Sequence, residues 1–169
     1  SRRFQMEQPR ELVNEALALP GKVAKMNAKP MIRINPILDL AGKFSKAVQP
    51  YTACQDGCSH CCHIEVAITG IEALQLGSKI GVKPAKLSPA KLRPKGSFSY
   101  ETPCTFLVDN RCSIYEHRPF ACRNHSSFEP TDEPCKLTNS DGTKKVSGQL
   151  VTPDFPGLKE ALNVVVNLV

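Results

Sequence analysis

Residues 54–63 hold Cys54, Cys58, Cys61 and Cys62 together with His60 and His63, a density of thiols that packing does not require. Thiolates are soft, strongly donating ligands, so the chemistry open to these residues is metal binding. Cys104, Cys112, Cys122 and Cys135 bring the total to eight. Tetrahedral zinc commonly takes one pair of cysteines two or three residues apart and a second pair from elsewhere in the chain. Cys54 with Cys58, or Cys58 with Cys61, suits the first half, and Cys112, Cys122 and Cys135 can supply the second. Adjacent side chains diverge, so Cys61 and Cys62 suit two different centres, a metal-bridging role, or a split in which one is an ordinary buried thiol. Cys58, Cys61, Cys112 and Cys122 occupy the most constrained stretches and form the primary ligand pool. Cys54, Cys62, Cys104 and Cys135 are then additional ligands or a second centre. His60, His63, His117 and His125 are expected at the surface or behind the ligands, because cysteines are already sufficient in number.

The 169 residues are expected to form one domain, or one compact core with arms. No segment approaches the roughly 18 uninterrupted apolar residues of a membrane span. Arg2 and Arg3 are followed by Gln5, Glu7, Arg10 and Glu11 where a signal peptide would be apolar. The expected setting is cytoplasmic, where eight cysteines read as ligands more naturally than as four disulfides. The formal charge of +6 counts every cysteine as neutral. A tetrathiolate zinc or [4Fe-4S] centre carries a net charge of about −2, so two full centres would leave about +2 and weaken any case for nucleic acid built on charge alone. The surplus is uneven: Lys83, Lys86, Lys91, Arg93 and Lys95 have no acid among them. Such a loop is a solvated linker or a contact surface for an acidic protein or nucleic acid, although it holds no aromatic platform for bases.

The elements that must position the thiols follow from periodicity and punctuation. Pro9 can start a helix in which Leu12, Val13, Ala16 and Leu19 form a stripe ended by Pro20 and Gly21. Residues 22–34 read as basic and irregular. Asn35 and Pro36 then open a second helix lined by Ile37, Leu38, Leu40, Ala41, Phe44 and Val48. After an extended stretch over residues 64–68, Thr69 with Glu72 forms a capping box, and Ile71, Leu74 and Ile80 face one side of a helix closed by Gly81. Residues 83–100 read as a long surface loop. Residues 105–108 and 112–115 flank a three-residue loop in a predicted hairpin, with Val108 opposite Cys112. Cys104 and Cys112 would share a side but lie roughly 13 Å apart along the ribbon, so a common site needs a bend near Cys104. Pro119 should start a short helix carrying Cys122. Residues 126–149 read as polar turns and tails, and residues 155–169 as a closing helix with Leu158, Ala161, Leu162, Val165 and Leu168 on one face.

The spacing Cys54-x₃-Cys58-x₂-Cys61 also occurs in radical S-adenosylmethionine enzymes, but there it follows the first strand of a large partial barrel, and here a helix precedes it. Once the later residues are included, the pattern is wider. Cys54-x₃-Cys58-x₂-Cys61-Cys62, then Pro103-Cys104-x-Phe106-Leu107, then Cys112-x-Ile114-Tyr115-Glu116-x-Arg118-Pro119-x-x-Cys122-Arg123 resembles the cysteine-cluster family of zinc- or iron-chelating domains, over residues 54 to about 135. The resemblance implies a metal centre, Zn²⁺ or a [4Fe-4S] cluster, and hardly specifies a reaction. Related domains accompany flagellin lysine methylases, where an iron-sulphur cluster has been associated with the domain. Within the motif, Tyr115 is expected to anchor the hairpin. Arg118 and Arg123 are candidates for positive charge beside the thiolates, offsetting the charge of the centre.

The sequence thus predicts a small metal-stabilised α+β or mainly α domain, with several short helices, one β-hairpin and long irregular loops around a cysteine-rich core. A helical N-terminal arm spans residues 1–53, a cysteine-cluster metal-binding domain 54–135, and a tail with a closing helix 136–169. The expected function is a metal-binding interaction or accessory module with a structural zinc centre. The competing reading is a [4Fe-4S] accessory protein or enzyme in redox chemistry or S-adenosylmethionine-dependent methyl transfer.

Overall fold

The structure, a computed structural model, describes residues 9–86, 102–136 and 157–167. It is a small mixed α/β domain with several short helices and one β-hairpin. Three helices supply most of the apolar core: α1 (Arg10–Lys25), α3 (Asn35–Val48) and, from the other end of the chain, α6 (Leu158–Val166). α1 packs on α6 and α3, and α3 also packs on α6. Ala16, Leu19, Val23, Ile37, Leu40, Phe44, Leu158, Ala161 and Val165 are buried between them.

α1 does not stop at Pro20 and Gly21 as the sequence suggests; it continues to Lys25. Proline has no N–H to give the carbonyl of Ala16, which costs the helix one bond. The stripe Ala16, Leu19, Val23 nevertheless runs straight across Pro20, and all three side chains are buried. Tertiary burial of Val23 therefore outweighs the local signal. Residues 22–34 are likewise more ordered than their composition suggests, since a short helix α2 (Pro30–Arg33) leads directly into α3. The whole predicted stripe of α3, from Ile37 to Val48, is buried.

α4 (Gly70–Ile80) has the expected capping box and ends on Gly81 at φ 72°. Its buried face is shifted from the predicted one: Ile71, Glu72, Gln75, Leu76 and Gly77 face inward, whereas Leu74 is 55% exposed. The hairpin pairs β1 (Leu107–Val108) with β2 (Arg111–Cys112) in a tighter register than predicted, with Leu107 opposite Cys112 and Val108 opposite Arg111. Asp109 and Asn110 make a two-residue turn with φ 48° and 59°. Both residue types tolerate the left-handed region, which the primed hairpin turn requires at both positions. α5 (Phe120–Arg123) follows Pro119 as expected.

Leu168 and the residues before Gly157 that were assigned to the closing helix lie outside the described residues, as do Lys91, Arg93 and Lys95. Lys83 and Lys86 are exposed. No helix among the described residues is long and apolar enough to cross a membrane.

The α1–α6 contact depends on Gly157. A Cβ on this residue would lie 2.0 Å from the Ala16 carbonyl oxygen, and its φ of 86° disfavours any side chain. Gly157→Ala should lower stability by about 2 kcal/mol or more. Gly21, inside α1 with nothing near its missing Cβ, provides the opposite case: Gly21→Ala should raise stability by about 0.5–1 kcal/mol. Urea melts of the two variants check the pair, and equal effects would contradict this packing.

Candidate metal centre

All eight cysteines are free thiols, with Cys61 and Cys104 exposed and the others half-buried. None belongs to the apolar core. Cys112 lies on β2 and Cys122 on α5, and the others lie on loops and short turns.

The principal clamp is Glu72, a carboxylate that is only 4% exposed. Its Oε2 accepts hydrogen bonds from the Thr69 amide at 2.9 Å and the Thr69 hydroxyl at 3.0 Å, while Thr69 Oγ1 accepts from the Glu72 amide at 3.2 Å. Its Oε1 accepts from the Phe120 amide at 2.9 Å. One side chain therefore caps α4 and also fixes the start of α5, which carries Cys122. Burial of a carboxylate is tolerated because both oxygens are satisfied, and both face helix N-termini.

A second brace comes from Arg123. Its Nε donates to the Arg118 carbonyl at 2.7 Å and its Nη2 to the Glu116 carbonyl at 2.5 Å. The guanidinium also crosses α3 at Gly42, where a Cβ would lie 2.9 Å from Nη1. The structure thus places Arg123 against backbone oxygens of the turn before α5. Arg118 stacks over the Tyr115 ring at 3.6 Å and donates to the Tyr115 carbonyl at 3.0 Å. Burial raises Cys112 and Cys122, and the charge of Arg118 opposes that rise; at Cys62 it adds to the lowering that Cys61 causes.

The bend that Cys104 needs is present. The Leu107 amide donates to the Cys104 carbonyl at 2.9 Å, turning the chain back over the hairpin, and the Cys104 amide donates to the Cys62 carbonyl at 2.7 Å. Burial pushes the Cys112 thiol up, and burial with neighbouring thiols pushes Cys122 up to about 11. The Cys62 thiol and burial hold Cys61 well above the usual thiol range, and Cys61 in turn brings Cys62 down to about 6.

On the other side, Ser127 joins residues distant in sequence. It is 2% exposed, its amide donates to Cys54 Sγ at 3.5 Å, and its carbonyl accepts from the Ala53 amide at 2.9 Å. Burial raises the Cys135 thiol, Ser127 opposes that rise, and the nearby charges of Cys54 and Cys58 add to it. His60 Nε2 pairs with Asp132 Oδ2 at 3.1 Å, tying the Cys58–Cys61 turn to the turn that carries Cys135. These groups border an open polar cleft of about 440 Å³ lined by Asp56, Cys58, His60, Asn110 and Asp132. The role of Ser127 has no sequence signal, since a serine among polar turn residues looks like any other.

Among the described residues, no three Cys, His, Asp or Glu side chains stand close enough together to hold one ion. The donor set still fits a thiophilic metal chemically. Eight thiols are available and the Ser127 amide donates to the sulphur of Cys54, as in sites whose surroundings tune the ligands. Over residues 53–141 the chain matches the protein family described as "Putative zinc- or iron-chelating domain". No curated protein and no solved structure matches it.

Truncating the clamp should be costly. Glu72→Ala leaves the Phe120 and Thr69 amides without their acceptor and should reduce stability by about 3 kcal/mol, whereas Glu72→Gln, which keeps one oxygen, should cost less than half as much. Denaturant melts measure both. A Glu72→Ala protein within about 0.5 kcal/mol of the parent would show that the bridge is not needed.

Proposed function

Because the chain belongs to this family of zinc- or iron-chelating domains, we propose that it is a metal-binding module whose cysteine thiolates hold closed, structural zinc. The observation that carries this reading is where the apolar side chains are. In the segments that bear the cysteines, residues 54–69 and 102–136, Phe120 is the one buried apolar side chain among the described residues. A buried Phe contributes about 2–3 kcal/mol, while fixing each backbone residue costs about 1–2 kcal/mol. A structural zinc site contributes on the order of 10 kcal/mol or more to folding, and is the interaction of the right size to order such a layer.

In this reading Arg118 offsets thiolate charge, and Arg123 holds the backbone from which Arg118 and Cys122 project. The clefts are open, polar and shallow, which favours an accessory or interaction module over a substrate-enclosing enzyme. Exposed Lys83 and Lys86 would suit an acidic protein partner.

Protein purified without oxygen should contain zinc and no acid-labile sulphide. Elemental analysis with sulphide quantification checks this. Iron and sulphide in equal amounts, with zinc absent, would replace the proposal with a [4Fe-4S] accessory protein or enzyme and direct attention to reductants and S-adenosylmethionine.

A further inference from the structure

Two stretches of the helical body are cationic, free of acids and brought together by the fold. Residues 16–38 contain Lys22, Lys25, Lys29 and Arg33 and no Asp or Glu, and residues 73–86 contain Lys79, Lys83 and Lys86 and no Asp or Glu. The first stretch includes the end of α1 and all of α2, the second includes most of α4, and α2 packs on α4. Gln75 of α4 donates to the side chain of Asn35, two residues beyond Arg33, at 3.1 Å. Lys79 follows Gln75 by one turn, on the same side of the helix.

Both stretches are held by their own bonds. Arg33 Nε donates to the Ala28 carbonyl at 2.8 Å, closing the turn that carries Lys29. The Val82 amide donates to the Gly77 carbonyl at 2.9 Å, and a Cβ on Gly77 would lie 2.3 Å from the Val82 carbonyl oxygen and 2.8 Å from the Pro84 ring. Lys83, between Val82 and Pro84, is thereby fixed against the end of α4.

Lys22, Lys25, Lys29, Lys79, Lys83 and Lys86 are exposed, and none has an ion-pair partner among the described residues. The acids that flank these stretches in the chain are engaged elsewhere. Glu15 pairs with Lys43 at 2.9 Å, the charge of Asp39 acts on Arg123, and Glu72 is buried between Thr69 and Phe120. Ile32, 46% exposed, and Val82, 57% exposed, stand among the cations.

We infer that this face is a docking surface for an acidic protein segment whose carboxylates are interspersed with aliphatic side chains. This rests on the reading of the chain as an interaction module and gives it a place away from the cysteines. Neither stretch contains Phe, Tyr, Trp or His, so no ring is present on which a base could stack. A phosphate backbone would also leave Ile32 and Val82 without an apolar partner. The two aliphatic side chains sit on α2 and on the turn after α4, and do not form the continuous apolar stripe with which a helix lies in a lipid surface. A segment of Glu or Asp with Leu or Ile between them answers both the lysines and the aliphatic groups.

The test is fluorescence anisotropy of a labelled synthetic peptide of Glu and Leu, titrated with the full chain. The peptide should bind, with an affinity that falls steeply as salt is raised from about 0.05 M to about 0.3 M, and the same peptide with Gln in place of Glu should not bind. Changing Lys22, Lys25 and Lys29 together to Gln should weaken binding about tenfold, and changing Lys79, Lys83 and Lys86 together to Gln should do the same. Ile32→Ser combined with Val82→Ser should weaken it about fivefold. All these positions are exposed, and circular dichroism melts confirm that each variant is folded. Failure of the Glu–Leu peptide to bind, salt-independent binding, or full affinity in either lysine variant overturns the surface. Tighter binding of duplex DNA, or of phosphatidylserine–phosphatidylcholine vesicles, than of the peptide overturns it as well. Zinc content measured on the same samples reports on chelation separately, so loss of the surface with zinc retained leaves the metal reading intact.

Discussion

The apolar side chains of this protein are spent on one body, and everything else has to be held by other means. α1, α3 and α6 interlock through Ala16, Val23, Phe44, Leu158 and Val165, bringing the two ends of the chain together. The cysteine-bearing turns contribute Phe120 to that core and little more. At about 25 cal/mol per Å² of apolar area, one phenylalanine anchors a short helix, but not two long irregular segments. Hydrogen bonds do not close the gap, because each contributes only about 1 kcal/mol net. In the proposed reading, thiolate–metal bonds supply the interaction of sufficient strength.

Besides the apolar contact of Phe120, polar contacts join the helical body to the cysteine layer. Glu72 joins α4 to α5 through a buried carboxylate. Gln75 donates from α4 to the side chain of Asn35 at the start of α3, at 3.1 Å. Arg123 spans from α5 across Gly42 to the turn behind it. Ser127 bonds both the backbone of residue 53 and the thiol of Cys54. Polar contacts of this kind are directional, so they fix where the thiols are carried more sharply than apolar packing would. They are also unforgiving, because a buried group left without its partner costs more than the bond contributes.

Local chemistry was readable from the sequence wherever a residue acts on its neighbours. The Thr69–Glu72 capping box, the Gly81 terminus and the stripe of α3 are all formed as their residue types dictate. Where distant contacts decide, sequence reading missed. Pro20 looks like a terminator until Val23 is seen buried beyond it. Glu72 is recognisable as a cap, but its bond to Phe120, 48 residues away, has no local signature. Asp109 and Asn110 did carry a turn signal, and counting Arg111 with them shifted the hairpin register by one residue. For the candidate centre, the thiols themselves were plain, and the bend required at Cys104 followed from strand geometry. How the cysteine-bearing segments are tied to one another was not legible, since that depends on the Cys104–Cys62 backbone bond and on Ser127.

The claim that metal takes the place of an apolar core in the cysteine layer is tested most directly by hydrogen exchange with peptide-level resolution, before and after metal is removed under reducing conditions. Opening free energies differ between parts of one structure, so the two halves of the protein can be followed separately. The account predicts that amides in residues 54–69 and 102–136 lose their protection when metal is removed, while α1, α3 and α6 keep most of theirs. Unchanged protection of the cysteine-bearing segments in metal-free protein would contradict it.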